Sequence, residues 1–167
     1  MTSQPLKLDD LDWAILRELQ VDGRQSFNEL ARRVHLSGPA VAERVRRLER
    51  DKVITGYSAS IDAARAGAPL LAFVQLRCSL GSCLLRTTDA QDYPEVVAVH
   101  KLSGEYCTMI QVRTASLAAL EGLVERLGEH GEIRTHITLS TQYEHRPVER
   151  TAPDRPVTPS TGWNRAP

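Results

Sequence analysis

The apolar positions of this chain run on a helical period up to about Leu48 and on a strand period over much of the remainder. Leu8, Leu11, Ile15, Leu16 and Leu19 share one face of a first helix. Asp9 is placed to cap it, Asp12 falls in its first turn, and Gly23 stands just past its end. In "SFNEL", Ser26 precedes Glu29 by three residues, a capping box that opens a short second helix. That helix turns Phe27, Leu30 and Val34 inward and stops near His35. A third helix begins at Ser37, a good N-cap, with Pro39 at or near its first position. At about 100° per residue, Val41, Val45 and Leu48 form its buried stripe. Pro39, Glu43, Arg46, Arg47 and Arg50 lie opposite, with Arg44 nearer the core edge. Then "VITGYSASI" alternates as a strand or hairpin, with Thr55-Gly56 as its turn signal.

Ala, Gly and Pro in "DAARAGAPL" mark a linker, after which the pattern reads strand, helix, strand, strand, helix, strand. "LLAFVQLRC" alternates Leu70, Ala72, Val74, Leu76 and Cys78 against Leu71, Phe73, Gln75 and Arg77. Gly81 to Asp92 reads weakly as a helix. "VVAVHKL" and "YCTMIQVR" are strands joined through Ser103-Gly104-Glu105. Ser116 to Leu127 is a helix with Leu117, Leu120, Val124 and Leu127 inward, and "IRTHITLST" closes the series. The order is that of the ferredoxin-like split βαβ. The expected fold class is therefore α+β. A helix-turn-helix domain with a hairpin wing occupies 1–61, a linker 62–69, and a βαββαβ domain 70–143. From Glu144 onward, five prolines among polar residues read as a disordered tail over 144–167, in which Trp163 has no evident role.

Charge sharpens this picture. The chain of 167 residues is neutral overall, yet from Arg24 to Tyr57 eight basic residues face four acidic ones, which leaves +4 there and −4 elsewhere. A basic patch on a neutral protein points to a polyanionic partner. Cys78, Cys83 and Cys107 form no paired framework and a poor ligand set, so neither disulfides nor a metal is expected, and no cofactor. No apolar leader or membrane-length stretch is seen, so the expected setting is the cytoplasm, away from membranes.

Three short helices with a capped turn before the last make a helix-turn-helix, whose final helix enters the major groove of double-stranded DNA. Arg46, Arg47 and Arg50 suit phosphates or guanine. Ser37, Gly38, Pro39 and Ala42 are small enough for close approach, and Glu43 can accept from cytosine. Charge alone favours a solvated face on which these arginines pair with Glu43 and Glu49; the capped triplet with its trailing hairpin reverses that in favour of DNA. No Ser-His-Asp set, phosphate-cradling loop or paired-carboxylate site appears, so no catalytic residue is expected.

The stretch from Leu8 to Tyr57 resembles the DNA-binding domain of the Lrp/AsnC, or feast/famine, transcription regulators. The matching elements are Leu8-Asp9-x-x-Asp12, Asp22-Gly23-Arg24, Leu30-Ala31, Leu36-Ser37, Arg44-Val45-x-x-Leu48-Glu49 and Val53-Ile54-x-Gly56-Tyr57. The similarity extends to about Thr141. It implies homodimers formed through the C-terminal domain, assembling further into dimers of dimers or octamers, and control by an amino acid or related metabolite. An exposed sheet face with Leu71, Phe73 and Met109 independently favours a second subunit.

The resemblance also implies an effector turn at Ser103-Gly104-Glu105-Tyr106-Cys107, where Cys107 stands in place of the family's acid. Thr135, His136 and Thr138 on the last strand are further candidates. A plain hairpin turn accounts for the same residues equally well. The competing class is the tetrapyrrole decarboxylases that resemble this fold. They would need His and Arg clustered in the C-terminal domain, where His100, His136, Arg77 and Arg113 make a sparse set and the arginine-rich third helix would be superfluous.

Overall fold

The computed structural model describes residues 7–79, 84, 90–144 and 146–150, which form two compact units. One is built on the chain up to Ser58 together with residues 146–150, the other on Ala59 to Glu144.

The first unit holds α1 (Asp10–Val21), α2 (Phe27–Arg33) and α3 (Gly38–Arg50). Each begins at a capping side chain. Asp9 Oδ1 accepts from Asp12 N at 2.8 Å while Asp12 Oδ2 accepts from Asp9 N at 3.1 Å, so α1 too has a full capping box. Ser26 and Glu29 make the expected reciprocal pair on α2, and Ser37 Oγ accepts from Ala40 N on α3. Ile15, Leu16, Leu30, Ala31, Val34, Val41, Val45 and Leu48 form the core, with Leu8, Trp13, Leu36, Val53 and Ile54 packed around it. Phe27, expected inward, is exposed at the first position of α2.

Both α2 and α3 stop in the same way. Leu36 N donates to Ala31 O at 3.0 Å past α2, and Val53 N donates to Leu48 O at 2.9 Å past α3. These are Schellman closures, which place one residue in the left-handed region and usually select glycine there. Here the residues are His35 (φ 55°) and Lys52 (φ 59°). His35→Gly is therefore expected to stabilise the first unit by roughly 0.5–1 kcal/mol, read as a higher urea midpoint with unchanged slope.

The expected hairpin after α3 is not formed. Val53 and Ile54 are drawn onto the core, and residues 55–62 form no strand and are exposed. A tight hairpin at Thr55-Gly56 needs positive φ, and Gly56 does not adopt it. Tyr57 instead packs on Gly23 and donates from its hydroxyl to Glu49 Oε1 at 3.0 Å. The tail also departs from expectation at its start. Val148 and Gln20 exchange two hydrogen bonds, backbone to side chain, at 2.7 and 3.0 Å, and Arg150 pairs with Asp10 at 2.7 Å. Val148 thereby lines an apolar cleft of about 310 Å³ with Leu8, Trp13, Leu19, Ile54 and Tyr57. Residues 151–167, with Trp163, lie outside the described residues.

The second unit opens on a single turn held by Asp62, whose carboxylate accepts from Arg65 N at 3.1 Å, so this part of the expected linker is folded. Strands β1 (Leu70–Cys78), β2 (Val96–Lys101), β3 (Thr108–Thr114) and β4 (Gly131–Ile137) form one antiparallel sheet in the order β2-β3-β1-β4. Helix α4 (Leu117–Gly128) packs on one face. Ala72, Val74, Leu76, Ile110 and Val112 meet Leu120, Leu123 and Leu127 there, joined by Leu84. The helix expected over Gly81 to Asp92 lies mostly outside the described residues; Ala90–Asp92 form a short 3-10 turn. Leu117, expected inward, is exposed at the helix start, and Ile137 and Leu139 are exposed where β4 runs out. Gly131 begins β4 at φ 152°, and a Cβ there would stand 2.1 Å from the Arg77 carbonyl oxygen, so only glycine lets β4 approach β1.

Candidate nucleic-acid interface and effector turn

The position of α3 is fixed by a charge cluster. Asp12 is 1% exposed, and both its carboxylate oxygens lie 2.6 Å from Arg47 Nη2. Arg44 Nη1 bridges Asp12 Oδ1 at 2.8 Å and Asp9 Oδ2 at 2.7 Å. Hydrogen bonds from Arg44 and from the Asp12 backbone hold the Asp9 carboxyl below the usual carboxylate range, and the side-chain bonds to Asp9 and then Asp12 raise Arg44. The residues that cap α1 therefore also clamp α3 through its arginines.

This clamp sorts the eight sequence-expected contact residues. Ser37, Pro39, Glu43, Arg46 and Arg50 are exposed and share the outward side of α3. Arg47 does not belong with them. Its guanidinium is committed to Asp12, because the long side chain reaches back toward α1. Ala42 is 8% exposed and is withdrawn from the surface. Gly38 is half-buried under the Asn28 side chain, and a Cβ there would lie 2.8 Å from Asn28 Oδ1. The sequence signal for the clamp was the spacing of Asp9 and Asp12 against Arg44 and Arg47, which a helical wheel of α3 alone does not reveal.

In the second unit, Leu102 N donates to Cys107 O at 2.8 Å, closing the turn from Ser103 to Tyr106 between β2 and β3. Gly104 sits at φ 117°, with open space where a Cβ would be. Tyr106 is buried; its hydroxyl donates to Glu132 Oε1 at 3.1 Å, and the Arg134 guanidinium lies 5.0 Å from its ring centroid. Arg77 pairs with Glu132 and, at 3.5 Å, with Glu105. Cys107 Sγ lies 3.1 Å from Cys78 Sγ. Register decides which β4 residues stand near the turn. Glu132 is opposite Arg77, whereas Thr135 and His136 are opposite Val74 and Phe73, and Thr138 bonds to Leu71 O. At about 3.3 Å per residue, His136 is roughly 13 Å along the strand from Glu132, and Thr138 is farther still. The structure does not bring Thr135, His136 and Thr138 to the turn within the unit. Arg77, Glu132 and Arg134 take that place, and no spacing in the sequence announced them.

Residues 8–49 match the family model of the AsnC-type helix-turn-helix domain, and residues 71–148 match that of the Lrp/AsnC ligand binding domain. The chain belongs to the Lrp/AsnC family. This regulator is 39% identical to the HTH-type transcriptional regulator LrpA of Mycobacterium tuberculosis over 83% of its own length and 95% of that protein's. It is similar to the solved structure of LrpC from Bacillus subtilis, with TM-score 0.77, 30% identity, and 81% and 97% of the two chains covered. A feast or famine regulatory protein from M. tuberculosis, solved in complex with L-methionine, matches with TM-score 0.76 at 38% identity, covering 84% and 97%. The regulator is thus a DNA-binding transcription factor and not an enzyme, and the decarboxylase alternative has no support among these relatives. Among the described residues, no helix is long and apolar enough to cross a membrane.

Proposed function

We propose that the outward side of α3 is the surface this cytoplasmic regulator lays in the major groove. Arg46 and Arg50 neutralise phosphates or pair with guanine, and Glu43 accepts from cytosine N4. Ser37, Gly38 and Pro39 at the helix start pass close to the backbone. The observation that carries this reading is the Asp12 clamp. It uses Arg44 and Arg47 to seat one side of α3 and leaves Pro39, Glu43, Arg46 and Arg50 exposed on another. Arg47 and Ala42 are left out of the direct contacts.

The protein acts as a homodimer or larger assembly. Phe73 and Met109, half-buried, lie with Gln75 and Gln111 on the sheet face opposite α4, and a second copy covers it; Leu71, expected exposed on that face, is already buried within the chain. Footprinting of the purified protein over its genome, beginning with the region upstream of its own gene, is expected to show paired half-sites near whole helical turns of about 10 bp. Uniform weak protection with no preferred sites would overturn sequence-specific control.

The turn at Ser103-Gly104-Glu105-Tyr106-Cys107 takes an amino acid or related metabolite. Its support is the relative solved with L-methionine, together with a glycine at positive φ that exposes backbone N–H groups to a carboxylate. Glu105 is the group here to meet an ammonium. Calorimetry with L-methionine and the other amino acids is expected to give saturable heat that is lost in Gly104→Val. No heat with any of them would leave the turn a hairpin alone.

A further inference from the structure

Cys107 occupies the position where the family resemblance leads one to expect an acid, and the structure supplies it with a partner. Cys107 immediately precedes β3, Cys78 ends β1, and their sulfurs stand 3.1 Å apart. Both residues are half-buried, so a small solute can reach the pair. A disulfide requires a sulfur separation of about 2.05 Å, so the thiols need close by only about 1 Å. Both lie at strand ends, where side-chain rotation can supply such a movement without disturbing the ladder.

We propose that Cys78 and Cys107 are a reversible oxidation site, a dithiol that a hydroperoxide converts to an intrachain disulfide. Cys107 is the attacking sulfur. Cys78 N donates to it at 3.4 Å, and Thr108 Oγ1 lies 3.5 Å away. The Thr108 contact foremost, then the Cys78 amide, lowers the Cys107 pKa and favours the nucleophilic thiolate.

The Cys107 thiolate attacks one peroxide oxygen. An S–O bond forms, the O–O bond breaks, and the departing oxygen takes a proton from solvent to leave as water or an alcohol. The Cys78 sulfur then attacks Cys107 Sγ. The S–S bond forms, the S–O bond breaks, and the hydroxyl leaves as water with the Cys78 thiol proton. Two electrons pass from the sulfurs to the peroxide, and an external dithiol returns them. The product ties the residue that closes the Ser103–Tyr106 turn to the end of β1, beside the existing Arg77–Glu105 pair. The chemistry requires only the two thiols, so it does not depend on any effector occupying the turn.

The test uses the full chain carrying Cys83→Ser, alongside the wild-type chain, treated with graded hydrogen peroxide, alkylated and digested with trypsin without reduction. The expected product is the peptide 78–86 linked to 102–113, with an intact mass lower by two hydrogens and full reversal by dithiothreitol. Adding Cys78→Ser is expected to leave Cys107 as a sulfenic acid trapped by dimedone. Absence of the linked pair overturns the proposal. So does linkage found only between chains, or a wild-type chain that joins Cys78 to Cys83 instead.

Discussion

Asp12→Ala is expected to destabilise the first unit by about 3 kcal/mol, the low end for breaking a buried ion pair, because Arg44 and Arg47 retain access to water. The substitution removes the contacts to both arginines and half of the α1 capping box at once. Urea unfolding followed by Trp13 fluorescence in a Trp163→Phe background measures it. A change under 1 kcal/mol would show that the clamp does not hold α3. Arg47→Ala should cost less, about 1–2 kcal/mol, since Arg44 still meets Asp12. The same cluster sets an acid limit. Asp9 is depressed in the folded unit, so its contribution is complete above its ordinary value of 3.8 and is lost as pH falls through the lower folded value.

The double variant Arg46→Ala, Arg50→Ala is expected to lose roughly 25-fold in DNA affinity at about 0.15 M salt, with the slope of log K against log salt falling by about 1.8. That follows if each arginine neutralises one phosphate. A loss concentrated on particular operator bases would assign them to guanine instead, at about 1–3 kcal/mol each. Their side chains are exposed and make no contact with the clamp, so the urea midpoint should not move. Arg47→Ala should do the reverse, lowering stability while keeping the salt slope. If Arg47→Ala reduced the slope as much as Arg46→Ala, the division of α3 into a clamped side and a binding side would be wrong.

These two experiments separate residues that a helical projection of α3 groups together. Arg46, Arg47 and Arg50 all fall away from the Val41–Val45–Leu48 stripe, and nothing in the local pattern distinguishes them. The three helix caps, the Ser26–Glu29 capping box, the inward stripes of α3 and β1 and the strand order were legible because each rests on contacts within a few residues or on a strict period. The hairpin and Phe27 were misread for a related reason. Alternation and a Thr-Gly pair permit a turn, and an aromatic ring at a helix start suggests burial, but neither local signal shows whether the surrounding packing uses it.

What the sequence by itself determined was the order and type of the three N-terminal helices, of the four strands and of the helix before the last strand, the caps that start the N-terminal helices, and membership in a family of DNA-binding regulators. Those depend on propensity, period and motif spacing, all written locally. Only the tertiary structure decided that Arg47 serves Asp12 while Arg46 stays outward, that Glu132 and Arg134 stand at the turn in place of Thr135 and His136, and that Cys78 meets Cys107. Each of these joins residues 26 or more positions apart. Such pairings are fixed by helix packing and strand register, and a shift of one residue along a strand moves every side chain to the opposite face.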